Sequence, residues 1–260
     1  MLNIRQCFAI IMSMWVLVFG MAMPQSATGQ DRSIKIAVEG YFPPFNYLDS
    51  NGQLQGFDVD IAEALCTAMQ ADCQFVVQDW DEMIPGLLGK QYDAIVSSMS
   101  MNAERREQVA FSGPYYDSPS VFLSTKDAAF SADDIADKKL GVAVATSQEA
   151  YIRQFHPDST VILFKSSPEL YEGLADGEVD AIFEDKLAAY DWLTNTKAGQ
   201  CCEFRGDDIK NAAYLGDGAG IALRKEDAEL RDAFDAVLAE ITEDGTYNTI
   251  NAAYFPFSIR

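Results

Sequence analysis

The stretch SSMSMNAERR, residues 97–106, contains the residue types that bind a carboxylate. An apolar strand ends at this point in a run of hydroxyl side chains, Ser97, Ser98 and Ser100. A predicted helix follows and carries Arg105 in its early turns. A strand end beside a helix start directs backbone N–H groups, hydroxyls and a cation toward one point, which is the arrangement that a carboxylate ligand needs.

The same local pattern also fits a structure without any ligand. Asn102 is a favourable N-cap for the predicted helix, and Arg105 could form an ion pair at the surface. The stretch alone does not decide between the two interpretations. The choice depends on which residues the other strand ends bring nearby.

Other chemically capable side chains follow predicted strands in the same way. Residues 34–38 alternate as a strand and lead into Glu39 and Phe42, where two prolines make the loop rigid. Residues 75–77 form the next strand, with Trp80 just past its end. Strands that alternate with amphipathic helices predict an α/β fold with a mostly parallel sheet, whose ligand sites lie at the carboxyl ends of the strands. The carboxylate, the two aromatic rings and the serine pair are therefore all expected at one edge.

The second half of the chain repeats this scheme. Residues 93–95 match residues 180–182 at a shift of 87 residues, and the helices before them match as well. The shift places residues 97–98 on Glu184 and Asp185, so each half has a polar loop at the equivalent strand end. Unless the match is coincidental, two similar lobes facing each other would put these loops on opposite walls of a cleft.

The chain is expected to cross between two lobes twice. The second half is complete by about residue 210, and the strand and helix patterns after it fit the first half. The expected architecture is α/β, with two similar lobes joined by a two-strand hinge and a ligand cleft between them. The predicted limits are 31–117 plus 217–260 for lobe 1, 122–213 for lobe 2, and 116–124 and 211–221 for the hinge crossings.

The first 30 residues have the features of a signal peptide. Arg5 supplies a positive start, residues 7–23 form an apolar run, and small polar residues precede a cleavage site near residue 30. An uncleaved anchor is the alternative, because the apolar run approaches the ~20 residues that span a bilayer. After cleavage no membrane span is expected, and the protein would be exported to the periplasm.

The charge balance argues against polyanionic partners. The chain has 19 Lys and Arg against 40 Asp and Glu, a formal net charge of −21. Such a surface repels nucleic acid and anionic lipid. Nucleic acid is therefore excluded as a partner, although the charge alone names no ligand.

Two pairs of cysteines follow the leader. Cys66 and Cys73 lie at the end of a helix and the start of the next strand, and in an oxidising compartment they can form a local disulfide. For the adjacent Cys201 and Cys202, a vicinal disulfide, free thiols and adventitious metal binding all stay open. With His156 as the only histidine in the chain, a metal site is not expected, and no cofactor is expected.

Eight short motifs stand in the order and spacing of one known family. They are GFDVDIA at 56–62, Asp93–Ile95, Glu104–Arg106, Phe111–Ser112, Pro114–Tyr116, Gly141–Val142, Asp180–Ile182 and Asp244–Tyr247. Together they resemble the periplasmic polar-amino-acid-binding proteins of ABC importers, and most closely the lysine/arginine/ornithine and histidine binders. The resemblance covers the mature chain in register and includes the Cys66–Cys73 pair that this subgroup bridges. It implies the two-lobed periplasmic-binding-protein fold of type II.

The resemblance implies how the α-carboxylate of an amino acid is held. Arg105 would bridge it through two hydrogen bonds, and Ser98 and Ser100 would assist. The helix start of the other lobe, at Thr146 and Ser147, would contribute from the opposite side. Thr146 opens a capping-box pattern, which independently favours a helix start there.

Four other residues would bind the rest of the ligand. Asp185 would accept the α-ammonium, although an N-cap role would also explain it. Glu39 would face the distal end of the ligand side chain, between walls formed by Phe42 and Trp80. The alternative for Glu39 is a solvated loop acid, and the alternative for the two aromatic residues is ordinary packing between strand ends. Glu39 is longer than the family's common Asp, Phe42 replaces a common Tyr, and Trp80 is bulkier than the usual Leu or Phe, so the exact ligand stays open.

Three functions fit these predictions. The main one is a non-catalytic, monomeric receptor that binds arginine, lysine, ornithine, histidine or a derivative such as an opine, and passes it to an ABC permease in the inner membrane. A distal carboxylate favours a cationic ligand, because a neutral one would leave it unpaired. The fold also resembles cyclohexadienyl dehydratases, with Glu184 or Glu39 as general acid, although Asp185 would repel a dicarboxylate substrate. An extracellular sensor component is the third.

Overall fold

A computed structural model of the chain describes residues 33–260. The predicted signal peptide, residues 1–30, lies outside the described residues. Within residues 33–260, no helix has the length and apolar character that a membrane crossing requires.

Residues 33–260 form two five-stranded sheets, a small three-stranded sheet and the helices around them. The strands are β1 Ser33–Val38, β2 Tyr41–Phe42, β3 Asn46–Leu48, β4 Leu54–Gln55, β5 Asp72–Val77, β6 Ala94–Ile95, β7 Ala110–Tyr116, β8 Ser120–Thr125, β9 Lys139–Ala143, β10 Thr160–Phe164, β11 Ala181–Asp185, β12 Cys202–Ile209 and β13 Ala219–Leu223. The α-helices are α1 Phe57–Ala68, α2 Met83–Leu88, α3 Ala103–Gln108, α4 Ser147–Phe155, α5 Ser167–Ala175, α6 Lys186–Asn195, α7 Ala228–Glu243 and α8 Thr246–Tyr254. Short 3₁₀ turns cover Trp80–Glu82 and Ala198–Cys201.

The two large sheets have the same arrangement. Sheet 1 has the order β5-β1-β6-β13-β7 and sheet 2 the order β10-β9-β11-β8-β12. In each sheet the first three strands are parallel, and the fourth runs antiparallel to both neighbours. The two-lobed α/β prediction is confirmed. The sheets are less parallel than expected, because β8 and β13 arrive from the other sheet and not through a helical crossover.

Helix α1 packs its apolar stripe on sheet 1. Phe57 and Ile61 are one helical turn apart and fully buried, and burying each side chain stabilises the fold by about 1.5–3 kcal/mol. The helix begins directly after Gly56, whose φ is 126°. A Cβ at Gly56 would collide with the carbonyl of Phe45. Only glycine fits there, and it fixes where α1 starts and hence where its first-turn side chains lie.

The chain passes between the two large sheets twice. Residues 117–119 connect β7 to β8, and residues 210–218 connect β12 to β13. The two connections are neighbours, since Lys210 Nζ lies 2.5 Å from Asp117 Oδ2. This ion pair is exposed and adds at most about 1 kcal/mol of stability. Two adjacent connections are the geometry that a hinge requires.

Both cysteine pairs are bonded in the structure. Cys66 and Cys73 form the expected disulfide between the end of α1 and the start of β5. Cys201 and Cys202 are also joined, which corresponds to one of the three alternatives that the sequence left open. Cys202 is buried in the core of sheet 2, whereas Cys201 is exposed.

Replacing Cys66 and Cys73 with alanine is expected to lower the free energy of unfolding by about 2–3 kcal/mol, the loop-closure contribution of a short loop. Urea unfolding followed by circular dichroism measures the loss. The Cys201→Ala variant is the control, because it breaks a bond between neighbouring residues, which closes no long loop in the unfolded chain, and leaves the buried Cys202 in place. Equal losses in the two variants would contradict the loop-closure explanation.

Candidate functional site

All ten predicted site residues line one cavity, to which both large sheets contribute. They are Glu39, Phe42, Trp80, Ser97, Ser98, Ser100, Arg105, Thr146, Ser147 and Asp185. Six further residues complete the lining, namely Ala143, Val144, Gln148, Lys165, Ser167 and Glu184. The carboxyl ends of strands in both sheets therefore meet at this cavity, as expected for sites in α/β folds.

Arg105 belongs to α3 and lines the cavity from the sheet 1 side. Asn102 Oδ1 accepts a hydrogen bond from the Arg105 N–H at 2.9 Å, so the expected N-cap is present. Arg105 is only 8% exposed, and its guanidinium donates to the carbonyl of Ser100 at 3.2 Å. Among residues 33–260 no Asp or Glu forms an ion pair with it. The surface ion pair that the local pattern allowed is therefore wrong.

The Arg105 guanidinium is a buried cation available to a ligand. Burial lowers its pKa to about 10, so it is still charged at neutral pH. Its Cζ lies 5.0 Å from the ring centroid of Trp80, in a cation–π contact. A buried charge without a partner of opposite sign destabilises the protein, and an anionic ligand group would remove that penalty.

The two serines at the end of β6 are held by the protein itself. Ser97 Oγ accepts a hydrogen bond from the N–H of Glu39 at 3.0 Å. The Ser98 N–H donates to Tyr115 Oη at 2.8 Å, and Ser98 Oγ donates to Asp58 at 2.9 Å. Because both Ser98 donors are occupied, Ser98 presents acceptor lone pairs to the cavity. The expectation that Ser98 assists an α-carboxylate needs correction, since a carboxylate requires donors.

Asp185 lines the cavity from the end of β11. Its Oδ1 accepts hydrogen bonds from the N–H groups of Leu187 and Ala188, at 2.8 and 3.0 Å. Asp185 is thus the N-cap of α6, as the alternative interpretation expected. Both bonds use the same oxygen, Oδ1. Burial is the main cause that raises the pKa of Asp185, to about 6, and the group is ionised at neutral pH.

Glu184 is a second carboxyl group on the same strand and is 5% exposed. Its Oε1 accepts from the N–H of Asp185 at 2.7 Å, and its Oε2 is hydrogen-bonded to Ser167 Oγ at 3.0 Å. Burial raises its pKa to about 8, and a protonated carboxyl can donate as well as accept. Within residues 33–260, no three His, Cys, Asp or Glu side chains are grouped to hold a metal ion.

The start of α4 borders the cavity on the sheet 2 side. Thr146 Oγ1 accepts from the N–H of Glu149 at 3.2 Å and donates to the carbonyl of Ala143 at 2.6 Å. The Glu149 carboxylate accepts from the N–H of Ala145 at 2.8 Å. In the usual capping box it would accept from the N–H of the N-cap residue, Thr146, so the predicted box is present with its second hydrogen bond shifted by one residue. The N–H groups of the first turn, beginning at Ser147, have no acceptor within the helix. Such groups favour an anion.

Glu39 lies toward the other end of the cavity. Past it the cleft continues into a space lined by Asp79 and Lys165, and that space does not reach Arg105. Glu39 is half-buried; burial is the main cause that raises its pKa to about 7, and the negative charges of Asp58 and Asp79 raise it further. Among the described residues no Lys or Arg forms an ion pair with it.

Two aromatic rings line the cavity from the sheet 1 side. Phe42 stacks on Phe45 at 5.3 Å, with 16° between the ring planes. The Trp80 Nε1–H donates to the carbonyl of Ala145 at 3.0 Å, and Arg105 Nη2 reaches the same carbonyl at 3.5 Å. These two donors and their acceptor lie on opposite sides of the cleft, so their hydrogen bonds connect its walls.

Several residues around the cavity were not among the site residues predicted from the sequence. Asp79 precedes Trp80 at the same strand end, and Gln148 follows Ser147 at the same helix start, so position alone could have found both. The shift of 87 residues that relates the two halves maps Trp80 onto Ser167. The repeat therefore contained the signal for Ser167 as well.

Known proteins resemble this chain along most of its length. The sequence model of the bacterial extracellular solute-binding proteins, family 3, matches residues 34–257. The lysine/arginine/ornithine-binding periplasmic protein of Escherichia coli (strain K12) is 33% identical over 253 residues, which cover 96% of this chain and 97% of that protein. The family match includes all ten candidate site residues.

Two solved structures show the same fold. A Salmonella typhimurium periplasmic binding protein of high arginine specificity aligns with a TM-score of 0.79 and 28% identity, covering 86% of this chain and 99% of that one. An ancestral amino-acid-binding protein, a precursor of cyclohexadienyl dehydratase, aligns with a TM-score of 0.77 and 28% identity, covering 86% and 95%. The similarity therefore includes binding proteins and one ancestor of an enzyme.

Proposed function

This chain belongs to the bacterial extracellular solute-binding proteins, family 3, and we propose that it binds a cationic L-amino acid in the periplasm for an ABC importer. The charge arrangement of the cavity carries the proposal: one buried cation, Arg105, shares it with the carboxyl groups of Asp185 and Glu39. An amino acid with a basic side chain has the complementary set, one negative and two positive groups. The names of similar proteins, which mention lysine, arginine and ornithine, support the same ligand class.

The α-groups of the ligand fit residues from both sides of the cleft. Arg105 offers the ligand's carboxylate parallel N–H donors, which is the preferred geometry for that group. The Ser100 hydroxyl and the first-turn N–H groups at Ser147 add donors. The α-ammonium fits the second oxygen of Asp185, and Ser98 accepts from the ammonium because its own donors are engaged.

The side chain of the ligand extends toward Glu39. With Asp79 close behind it, this end of the cleft favours a positive charge. A positive charge about 4 Å from the ionised Glu39 is attracted to it by on the order of 4 kcal/mol at an effective dielectric of ~20. A neutral side chain lacks this attraction. Trp80 adds cation–π stabilisation. Lys165, exposed on the same lining, is a cation that the second carboxylate of an opine would contact.

Capture of the ligand involves closure of the two lobes about residues 117–119 and 210–218. The hydrogen bond from Trp80 to the carbonyl of Ala145 belongs to the closed form, because it joins the two walls directly. The ligand strengthens the same closure by contacting both walls. The closed monomer then delivers the ligand to a membrane permease, after residues 1–30 have directed export.

Calorimetric titration of the mature protein with arginine, lysine, ornithine, histidine and glutamine tests the proposal, after unfolding and refolding to remove any co-purified ligand. We expect at least one cationic amino acid to bind more tightly than glutamine. No binding of any cationic member, or tightest binding of glutamine, would refute the ligand class. Octopine in the same series tests the contact with Lys165.

A dehydratase activity is the second candidate, because Glu184 is a buried carboxyl group with a pKa of about 8 that could act as a general acid. Asp185 and Glu39 argue against it, since prephenate carries two carboxylates that these acids would repel. Incubation with prephenate and arogenate is expected to yield no product above background. Turnover that the Glu184→Gln variant lacks would establish the enzyme instead.

Trp80 is expected to report ligand binding through its fluorescence. Replacing it with Phe removes the hydrogen bond to Ala145 and is expected to weaken arginine binding about fivefold to tenfold. The ligand-induced change in emission should disappear with it. Trp192→Phe is the control, because Trp192 is buried in the core of sheet 2 and stacks on Tyr171 at 4.7 Å. A change in emission that persists in W80F and disappears in W192F would contradict the prediction.

A further inference from the structure

We infer that Asp58 is a positioning residue whose buried carboxylate holds the two loops that carry Glu39 and Ser98 in the geometry for ligand binding. The ligand-binding part of this inference rests on the proposed function. Asp58 belongs to the GFDVDIA motif, residues 56–62, but it is not among the residues that line the cavity. Its side chain is fully buried in the first turn of α1.

Three side chains donate hydrogen bonds to the Asp58 carboxylate. Tyr115 Oη and Asn46 Nδ2 lie at 2.7 Å, and Ser98 Oγ lies at 2.9 Å. No Lys, Arg or His pairs with it among residues 33–260. Burial raises the pKa of Asp58 to about 6, against the opposing effect of these hydrogen bonds. A buried, unpaired carboxylate depends on its donors, and its position in turn fixes theirs.

The contact to Asn46 holds the loop that carries Glu39. The carboxylate only accepts hydrogen bonds, so the amide nitrogen of Asn46 must face Asp58 and the amide oxygen must face away. That oxygen accepts from the N–H of Gly40 at 2.7 Å. Gly40 directly follows Glu39 and has a φ of 80°. The charge on Asp58 therefore sets the amide orientation that fixes the backbone beside the distal carboxylate of the site.

The contacts to Tyr115 and Ser98 hold the other loop. Tyr115 Oη donates to Asp58, which leaves the phenol oxygen free to accept the N–H of Ser98 at 2.8 Å. Ser98 has a φ of 51°, which is unfavourable for a residue other than glycine. Two hydrogen bonds, both traceable to the same carboxylate, stabilise this backbone conformation. Asp58 accepts the hydroxyl of Ser98 directly and orients the tyrosine that accepts its N–H. Both donors of Ser98 are therefore used within the protein, and only its acceptors are left for a ligand.

The isosteric Asp58→Asn variant tests the inference, with Asp60→Asn as its matched control. Asp60 lies on the same helix and its carboxylate also accepts a hydrogen bond from a tyrosine, Tyr254 Oη at 2.7 Å, but that tyrosine belongs to α8 and not to either loop. Losing a hydrogen-bond network to a buried charge predicts that D58N weakens arginine binding about tenfold to a hundredfold. D60N should leave the affinity within about twofold.

Amide hydrogen exchange of the ligand-free variants provides a readout that a general loss of stability does not reproduce. D58N is expected to speed exchange in the segments 39–46 and 97–100, whereas D60N is not. If the wild-type protein binds no amino acid, the proposed function fails, and this exchange result still decides the inference. Unchanged exchange in both segments of D58N would overturn it.

The Asn46→Ala variant keeps the carboxylate and covers the case in which D58N does not fold. It removes the link between Asp58 and Gly40 and should speed exchange in segment 39–46 but not in 97–100. Combining Ser98→Ala with D58N gives a further test. We expect Ser98→Ala to weaken binding less in the D58N background than in wild type, and fully additive effects of those two would overturn the inference.

Discussion

Replacing Arg105 with alanine is expected to weaken the binding of every amino acid, cationic or neutral, by a similar factor. The guanidinium is buried, and no Asp or Glu pairs with it among residues 33–260, so it is available for the α-carboxylate that all amino acids share. Removing one partner of a buried, hydrogen-bonded charge pair costs about 2–5 kcal/mol, which is roughly a 30-fold to several-thousand-fold loss of affinity. Calorimetric titration with arginine and with glutamine measures it.

Arg106 provides the matched control for this prediction. It is the next residue of α3, but its guanidinium forms an exposed ion pair with Asp217 at 2.8 Å and lies outside the cavity. Arg106→Ala should change the affinity by less than about twofold. Arg105→Lys keeps the charge without the planar pair of donors and should recover only part of the affinity. If Arg105→Ala still bound glutamine normally, the assignment of Arg105 to the α-carboxylate would be wrong.

The residues around the cavity were predictable because parallel strands align their carboxyl ends. Glu39 and Trp80 follow β1 and β5, and the repeat in the sequence relates Ser97 to Glu184. Each prediction needed only a strand, its end and the order of elements along the chain. The full-length resemblance then selected Arg105 and Asp185 as partners for opposite charges. Their meeting at one cavity follows from topology, which hydrophobic periodicity encodes well.

The directions of hydrogen bonds were not predictable in this way. Whether Ser98 donates to a ligand or accepts from it depends on Asp58, which lies 40 residues earlier in the chain. It also depends on Tyr115, which lies 17 residues later. Local pattern carries no information about such distant partners. The antiparallel direction of β8 and β13 was not predicted for a related reason. Each of these strands joins its sheet only after the chain has crossed from the other sheet.

The Glu39→Gln variant is expected to lose affinity for arginine about tenfold to a hundredfold at pH 8, because the cost of desolvating the two charges offsets part of their ~4 kcal/mol attraction. It should bind glutamine nearly as well as wild type. Glutamine at position 39 keeps the shape and a hydrogen-bonding group but removes the negative charge. Only a ligand with a positive side chain uses that charge. Titration of both proteins with both ligands measures the change in selectivity.

The pH dependence of arginine binding gives the second signature of Glu39. In the ligand-free protein its pKa is raised to about 7, mainly by burial, so Glu39 becomes protonated as the pH falls from 8 to 6. A cationic side chain binds the ionised form and must displace the proton, so arginine affinity should fall over this range. Arginine itself stays fully charged. In E39Q arginine affinity should change between pH 8 and 6 only as much as glutamine affinity does.

The comparison between ligands separates Glu39 from the other acids of the cavity. Asp185 and Glu184 are neighbours at the end of β11, and their pKa values are raised to about 6 and about 8. Because they lie where the α-ammonium of every amino acid would bind, their protonation should change arginine and glutamine affinity alike. The ratio of the two affinities therefore depends on Glu39 and should decline from pH 8 to 6 in wild type but not in E39Q. Glu63→Gln, which removes one exposed charge on α1, should keep the wild-type profile. A ratio that does not change with pH in wild type would place the cationic end of the ligand away from Glu39.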